Sequence, residues 1–334
     1  MFSFDVVAGK VVKDILDTSV DQVVDLVEDA YLRHDAGRTV NPDSYFLRFP
    51  EKPEARIIAL PAAIELSDEH TVGLKWISSF PGNIEAGVPR ASAVLVVNDY
   101  ATGQPRALLE AANISAARTA ASAAVAARAF ARHVPPDGRV SIIGAGVIAR
   151  TILRYLAATA YPIESLEVFD LHAGSAAKLV GYAAGELGLK ARSVGSLDEA
   201  LAAQTVITAT TAGTPYIERE LRAGQVVLNI SLRDFHPSVI LAAENYFDDV
   251  EHCMKADTSP HLAEQASNGR DFVSGTLADV LKGQVRPDAS RGLVFSPFGL
   301  GVLDLAVGHH VLTTAREQGL SLEIPDFFGE TRRW

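Results

Sequence analysis

Arg139-Val-Ser-Ile-Ile-Gly-Ala-Gly-Val-Ile-Ala149 decides the fold. A short β-branched run leads into Gly144-x-Gly146-x-x-Ala149, and a helical stretch, Arg150-Thr-Ile-Leu-Arg-Tyr-Leu-Ala157, follows at once. A first strand, tight turn and helix of a dinucleotide-binding fold read this way. The first glycine permits the turn, the second lets the backbone approach a pyrophosphate, and the small third residue lets helix and strand pack closely. The pyrophosphate then meets a helix N-terminus, where free amides and the macrodipole attract anions. A second apolar run, Leu166-Glu-Val-Phe169, ends in Asp170, where an acid meets the adenosine ribose diol. An acid there disfavours the extra phosphate of NADP, so the expected cofactor is NAD.

Working outward from this stretch, strand and helix signals alternate. They give strands at 139–143, 166–169, 205–210, 226–231 and 293–296 and helices at 146–159 and 173–187. Such alternation implies an α/β protein with a Rossmann-type, doubly wound parallel sheet. Before it lies a different region. Residues 11–33 have helical periodicity, broken at Asp17-Thr-Ser-Val-Asp21. Arg56-Ile-Ile-Ala-Leu60, Thr71-Val-Gly-Leu-Lys-Trp-Ile77 and Ala93-Val-Leu-Val-Val97 read as strands, and Asn98-Asp-Tyr-Ala-Thr-Gly-Gln-Pro105 as a hairpin turn. An alanine-rich helix from about 115 to 133 joins the regions, and a last helix near 302–317 can return to the first. The expected organisation is an α+β substrate-binding and dimerisation domain over 1–117, an NAD-binding domain over 118–303, and a C-terminal return over 304–334.

Composition narrows the function classes. The chain has 334 residues, 48% of them hydrophobic and 21% charged, which reads as a soluble globular protein long enough for two cores. Its net charge of −11 makes a poor general nucleic-acid surface, so any anionic ligand needs a local cluster of cations. The single cysteine, Cys253, excludes an internal disulfide framework and fits a reducing cytoplasm; it reads as a buried spectator thiol. Met1-Phe-Ser-Phe-Asp lacks the features of a signal peptide. The alanine-rich run carries Arg118 and Arg128, so it reads as a packed soluble helix and no membrane partner is expected. His236, His309 and His310 have no ligand-like grouping with acids, and no metal is expected.

Several segments together resemble the ornithine cyclodeaminase/μ-crystallin family: Gly73-Leu-Lys-Trp-Ile77, Asn98-Asp-Tyr-Ala-Thr-Gly103, Ala117-Arg-Thr-Ala-Ala121, the glycine turn, Asn229-Ile-Ser-Leu-Arg-Asp234 and Ser296-Pro-Phe-Gly-Leu-Gly-Val-Leu-Asp304. The resemblance implies binding of NAD(P), action at the C–N bond of an amino or imino acid, and a homodimer whose first domain carries the subunit contact. Asn41-Pro-Asp-Ser-Tyr-Phe-Leu-Arg-Phe49, Val88-Pro-Arg-Ala-Ser92 and Ile230-Ser-Leu-Arg-Asp234 look like the branch that supplies 2,3-diaminopropionate for siderophores and peptide antibiotics. That likeness implies NAD-dependent oxidation of an amino-acid derivative bearing several carboxylates, followed by hydrolysis of the imine. Two departures from the cyclodeaminases accompany it. Asp234 is followed directly by Phe-His-Pro-Ser, and the family's early carboxylate-binding arginine has no clear counterpart, with Arg48 or Arg56 as the replacement.

Oxidation at an amine-bearing carbon needs a neutral amine, a hydride acceptor and a group that moves protons. Asp234, beyond the strand at 226–231, matches the family's catalytic aspartate and is the expected acid/base, with Arg233 beside it to favour the ionised form. Lys75, mid-strand among apolar residues, matches the lysine that binds the substrate α-carboxylate. Arg118 matches an arginine near substrate and cofactor phosphates. Arg90 stands where the cyclodeaminases have threonine, and suits an extra carboxylate or a phosphate. For the cofactor, the resemblance carries over Val147 and Ile148 beside Gly144 and Gly146, Asp170, Thr210, Ser231 and Ser296. Asp304 reads as a helix N-terminal acid that caps or orients the site. Other readings stay open: an ornithine cyclodeaminase, an alanine dehydrogenase or ketimine reductase, and a crystallin-like nucleotide binder without turnover.

Overall fold

The alternation of apolar and polar residues after position 45 is realised as a mixed sheet. In the computed structural model, which describes residues 4–66 and 69–329, its strands are β1 (Phe4–Val7), β2 (Thr39–Val40), β3 (Tyr45–Phe49), β4 (Lys52–Leu66), β5 (Glu69–Ser79), β6 (Ala91–Asn98) and β7 (Pro105–Glu110), with Leu322–Ile324 at one edge. Strands β4 to β7 run as an antiparallel meander; β1 pairs β7 in parallel and Leu322–Ile324 antiparallel. One face is the core. Leu60, Ala62, Ile64, Leu95, Val97 and Leu109 are buried there at alternate positions. The long helix Gly301–Glu317 lies over β4 and β5, beside helices Gly9–Thr18 and Val20–Asp35. It lies so close that a Cβ on Gly308 would sit 2.2 Å from a Leu95 methyl. The break at Asp17–Asp21 is real: Thr18 and Ser19 turn their hydroxyls back onto the Ile15 carbonyl where the first helix ends. The opposite face of the sheet, with Pro61, Ala63, Val72, Leu74, Trp76 and Val96, is half-exposed or open.

The second sheet contains β8 (Arg139–Ile143), β9 (Ser165–Phe169), β10 (Ala191–Ser193), β11 (Thr205–Thr208), β12 (Val226–Asn229), β13 (Glu244–Phe247), β14 (Val273–Thr276) and β15 (Leu293–Ser296). Their order is β10-β9-β8-β11-β12-β15-β13-β14, and every pairing is parallel. The strand order reverses between β8 and β11, the switch point outside whose carboxyl ends open α/β sheets bind ligands. This is the expected doubly wound arrangement. Strands β8, β11, β12 and β15 are near-continuous buried runs, as helices on both faces require.

The chain divides into one compact unit of Met1–Arg118 with Leu300–Trp334 and a second of Thr119–Gly299. Among the described residues no helix is long and apolar enough to cross a membrane. The alanine-rich helix spans Ala112–Ala131 and is buried along most of its length, which accounts for its small residues.

Candidate functional site

The glycine turn has the geometry its sequence implies. Gly144 follows β8 at φ +92°, and a Cβ there would stand 2.5 Å from the Ala209 carbonyl oxygen; only glycine satisfies both constraints. A Cβ on Gly146, by contrast, would meet nothing within 4 Å. Open space lies there at the N-terminus of helix Val147–Ala158, and the Val147 side chain is exposed beside it. Asp170, just past β9, accepts hydrogen bonds from the Ala145 amide (2.8 Å) and the His172 amide (2.8 Å). Its carboxylate therefore braces the glycine turn as well as marking the end of the second strand. Small backbone, open space and an acid at the second strand fit a dinucleotide.

A second cluster in the same unit surrounds Asp234. Strand β12 ends at Asn229, and the chain turns through Ile230–Arg233 with Leu232 held at φ +68°, a left-handed conformation that costs a leucine about 1–2 kcal/mol. The turn sets Ser231 and Asp234 together. Asp234 is fully buried, and its Oδ1 accepts from Thr210 Oγ1 (2.5 Å) and Tyr216 OH (2.9 Å) while Oδ2 accepts from Ser231 Oγ. Arg233, next in sequence, donates to the Ala256 carbonyl at 2.6 Å. Ser296, at the end of β15, is buried and accepts from Asn229 Nδ2 (2.9 Å), while Asn229 Oδ1 accepts from Thr208 Oγ1 (3.1 Å). Thr210 and Ser231, expected beside the cofactor, thus also hold the carboxylate.

In the first unit, Lys75 is buried on the core face of β5. Its ammonium lies 2.6 Å from Asp304 Oδ2 and 3.2 Å from Ser115 Oγ, and Arg118 Nε lies 3.3 Å from Asp304 Oδ1. Burial pulls the Lys75 ammonium down to about 8, against the upward pull of Asp304. Asp304 is therefore more than a helix-terminal acid: it is the buried counter-ion of two cations.

The strand register lines up the remaining arginines. Arg48 pairs with Arg56 across β3 and β4, and Arg56 with Ser79 across β4 and β5. Arg90, before β6, donates to Ser79 Oγ at 2.9 Å. Directly opposed residues share a face of a sheet, so Arg48, Arg56 and Ser79 form one row, which Arg90 joins through its side-chain bond to Ser79. Lys75 is on the same face, four residues along β5, roughly 13 Å at strand spacing. Among the described residues no carboxylate pairs with Arg48 or Arg90; Arg48 lies over the Phe46 ring, and burial lowers the pKa of Arg90. The two candidate carboxylate ligands, Arg48 and Arg56, are thus opposed across β3 and β4.

Sequence reading missed Tyr216, Ser115 and Asn229 and undervalued Asp304. For Asp304 a signal existed: it is the one acid in Gly301-Val-Leu-Asp-Leu-Ala-Val307, a helical stretch apolar on every side. Tyr216 sits in an irregular segment with no period to expose it. Cys253 is buried, donating to Asp248 Oδ1 (3.3 Å) and the Ser296 carbonyl (3.0 Å), with its thiol pKa pushed up by burial. His309 and His310 bond Thr71 and Ser19. Among the described residues no three metal-binding side chains are grouped.

The fold and these clusters define a dinucleotide-binding α/β protein with a second, mixed-sheet unit that holds a buried lysine–aspartate–arginine cluster. The chain belongs to the ornithine cyclodeaminase/mu-crystallin family, whose sequence model matches residues 10–319. It is 29% identical, over 89% of its length and 91% of the relative's, to N-((2S)-2-amino-2-carboxyethyl)-L-glutamate dehydrogenase of Staphylococcus aureus. It is 26% identical to the alanine dehydrogenase of Archaeoglobus fulgidus, covering 92% of this chain and 95% of that one. Among solved structures, CmnK superposes with a TM-score of 0.86 at 30% identity over 98% of this chain and 99% of that one. An archaeal alanine dehydrogenase dimer with bound NAD shares the fold, with a TM-score of 0.84 at 24% identity over 98% and 100%.

Proposed function

We propose that this chain is an NAD-dependent oxidoreductase acting on the amine-bearing carbon of an amino-acid derivative, and that its substrate is N-(2-amino-2-carboxyethyl)-L-glutamate. The products are 2-oxoglutarate and L-2,3-diaminopropionate, a building block for siderophores or peptide antibiotics. The observation that carries the substrate is the arginine row beside the Lys75 cluster, because a tricarboxylate needs more cations than an amino acid with one carboxylate. Similarity along nearly the whole chain to the Staphylococcus aureus dehydrogenase supports the same reading.

Bound at the glycine turn, with Asp170 on the ribose, NAD supplies the hydride acceptor. Gly144, Gly146, Val147 and Ile148 would form the phosphate turn, with Thr210, Ser231 and Ser296 as further cofactor contacts. Lys75 and Arg118 hold the α-carboxylate of the glutamate half, which fixes the carbon that loses hydride. Arg48, Arg56 and Arg90 hold a distal carboxylate in bidentate fashion. Asp234 accepts the secondary amine's proton and releases it to solvent, then, ionised again, takes a proton from the water that adds to the iminium carbon. It returns a proton to the departing nitrogen as the C–N bond breaks. The protein acts in the cytoplasm as a homodimer through the open apolar face of the first sheet, whose Leu74 and Trp76 are only half covered or exposed.

The row is tested with Arg90→Ala and Arg48→Ala. A charged hydrogen bond is worth about 1.5–3 kcal/mol, so each variant is expected to raise KM for the tricarboxylate roughly ten- to hundredfold while NADH binding stays unchanged. Unaltered KM in both variants refutes the substrate assignment.

A further inference from the structure

The geometry points to Tyr216 as the proton relay between Asp234 and the reacting amine, an inference that rests on the acid/base role proposed for Asp234. Asp234 has no exposed surface, yet an acid/base must exchange protons with substrate and water. Its oxygens are engaged by three hydroxyls, so a proton that enters or leaves passes through one of them. Thr210 and Ser231 are half-buried, whereas Tyr216 is 40% exposed and is the most open of the three residues.

The backbone fixes the tyrosine in this place. The amides of Tyr216 and Ile217 both donate to the Asp234 carbonyl, at 2.9 and 2.8 Å, and the His236 amide donates to the Ile217 carbonyl at 2.8 Å. Ile217 and Phe235 form a parallel bridge. The segment is therefore stitched along residues 234–236, and the phenol's approach to Oδ1 is set before any ligand arrives. Burial and the neighbouring carboxylate push the Tyr216 pKa well above the usual phenol range, so the group rests as a hydroxyl and donor. In the relay the substrate amine gives its proton to the phenol oxygen as the phenol proton passes to Asp234 Oδ1. The tyrosine ends neutral, Asp234 ends protonated and the amine ends neutral. The reverse transfer later protonates the departing amine. No oxidant or further reactant is needed.

The test is Tyr216→Phe in the full chain, which keeps the ring and removes the relay oxygen, assayed with NAD and N-(2-amino-2-carboxyethyl)-L-glutamate beside Asp234→Asn. Loss of one proton-transfer group is worth roughly 10²-fold or more in rate. The expected result is a fall in kcat of that order, with NADH affinity and melting temperature close to wild type. The acidic limb of the pH–rate profile is expected to move to higher pH, because a carboxylate that loses a donor to its charged form is the stronger base. A change in ring packing alone would not move that limb. Wild-type kcat and pH profile in Tyr216→Phe, with Asp234→Asn inactive, overturns the relay and leaves the role of Asp234 standing. Full activity in Asp234→Asn overturns both. Should Tyr216→Phe fail to fold, Tyr216→Leu, which also lacks the relay oxygen, is read the same way: wild-type kcat and pH profile overturn the relay, and a lowered kcat with a displaced profile supports it.

Discussion

Replacing Asp304 by Asn leaves the Lys75 ammonium and the Arg118 guanidinium facing a neutral amide inside the first unit. Both carboxylate oxygens are in use, at 2.6 Å to Lys75 and 3.3 Å to Arg118, and the carboxylate has no exposure. Removing one partner of a buried ion pair costs about 3–5 kcal/mol, because the stranded charge remains desolvated. At roughly 2–4 °C per kcal/mol, the melting temperature of Asp304→Asn is expected to drop by on the order of 10 °C at pH 6.5. The pH dependence then identifies the cause. The folded pKa of Lys75, about 8, lies below its ordinary value of 10.5, so between these limits the unfolded chain binds more protons and stability rises with pH. Loss of Asp304 lowers the folded value further and opens that window at lower pH. The deficit relative to wild type should therefore narrow between pH 6.5 and pH 9.5. Adding Lys75→Met should restore more than about 1 kcal/mol beyond the sum of the single effects. Thermal melts of the four proteins at the two pH values decide the matter. A loss under 1 kcal/mol that is equal at both pH values refutes the buried-pair account.

Three further outcomes follow from the site. Because carboxylate binding needs the Lys75 ammonium, kcat/KM for the tricarboxylate should fall as pH rises through about 8, while NADH affinity, read by fluorescence, stays constant. Gly144→Ala combines φ +92° with a contact of 2.5 Å to the Ala209 carbonyl, and should cost more than 1 kcal/mol in the second unit and at least tenfold in NADH affinity. Asp170→Asn keeps an acceptor for the Ala145 amide but removes the charge, so the ratio of NAD to NADP turnover should drop about tenfold or more with little change in melting temperature.

What was legible in the sequence was local chemistry or strong periodicity. Gly144 and Gly146 are required by backbone geometry within a few residues, and β8 and helix Val147–Ala158 appeared nearly to the residue. Strands were placed at 205–210 and 226–231, but β11 and β12 end two residues earlier, where Ala209 and Ile230 begin turns that carry Thr210 and Ser231. The short strands β10, β13 and β14 lack a period long enough to read. Lys75 and Asp304 were each visible as a lone charge in an apolar run, but their pairing spans 229 residues and only the fold supplies it. The arginine row has the same origin: register across β3, β4 and β5 opposes Arg48, Arg56 and Ser79, and the Arg90–Ser79 bond adds a third arginine that no spacing rule connects. Tyr216 depends on hydrogen bonding between two irregular segments, which leaves no pattern in composition or spacing.

The most direct measurement follows NADH absorbance with purified protein, NAD and N-(2-amino-2-carboxyethyl)-L-glutamate, with ornithine and alanine in parallel. The account predicts one NADH and one 2-oxoglutarate for each L-2,3-diaminopropionate released from the tricarboxylate, and little NADH from the other two. Proline and ammonia from ornithine without net NADH, NADH from alanine alone, or no turnover of the tricarboxylate would contradict it.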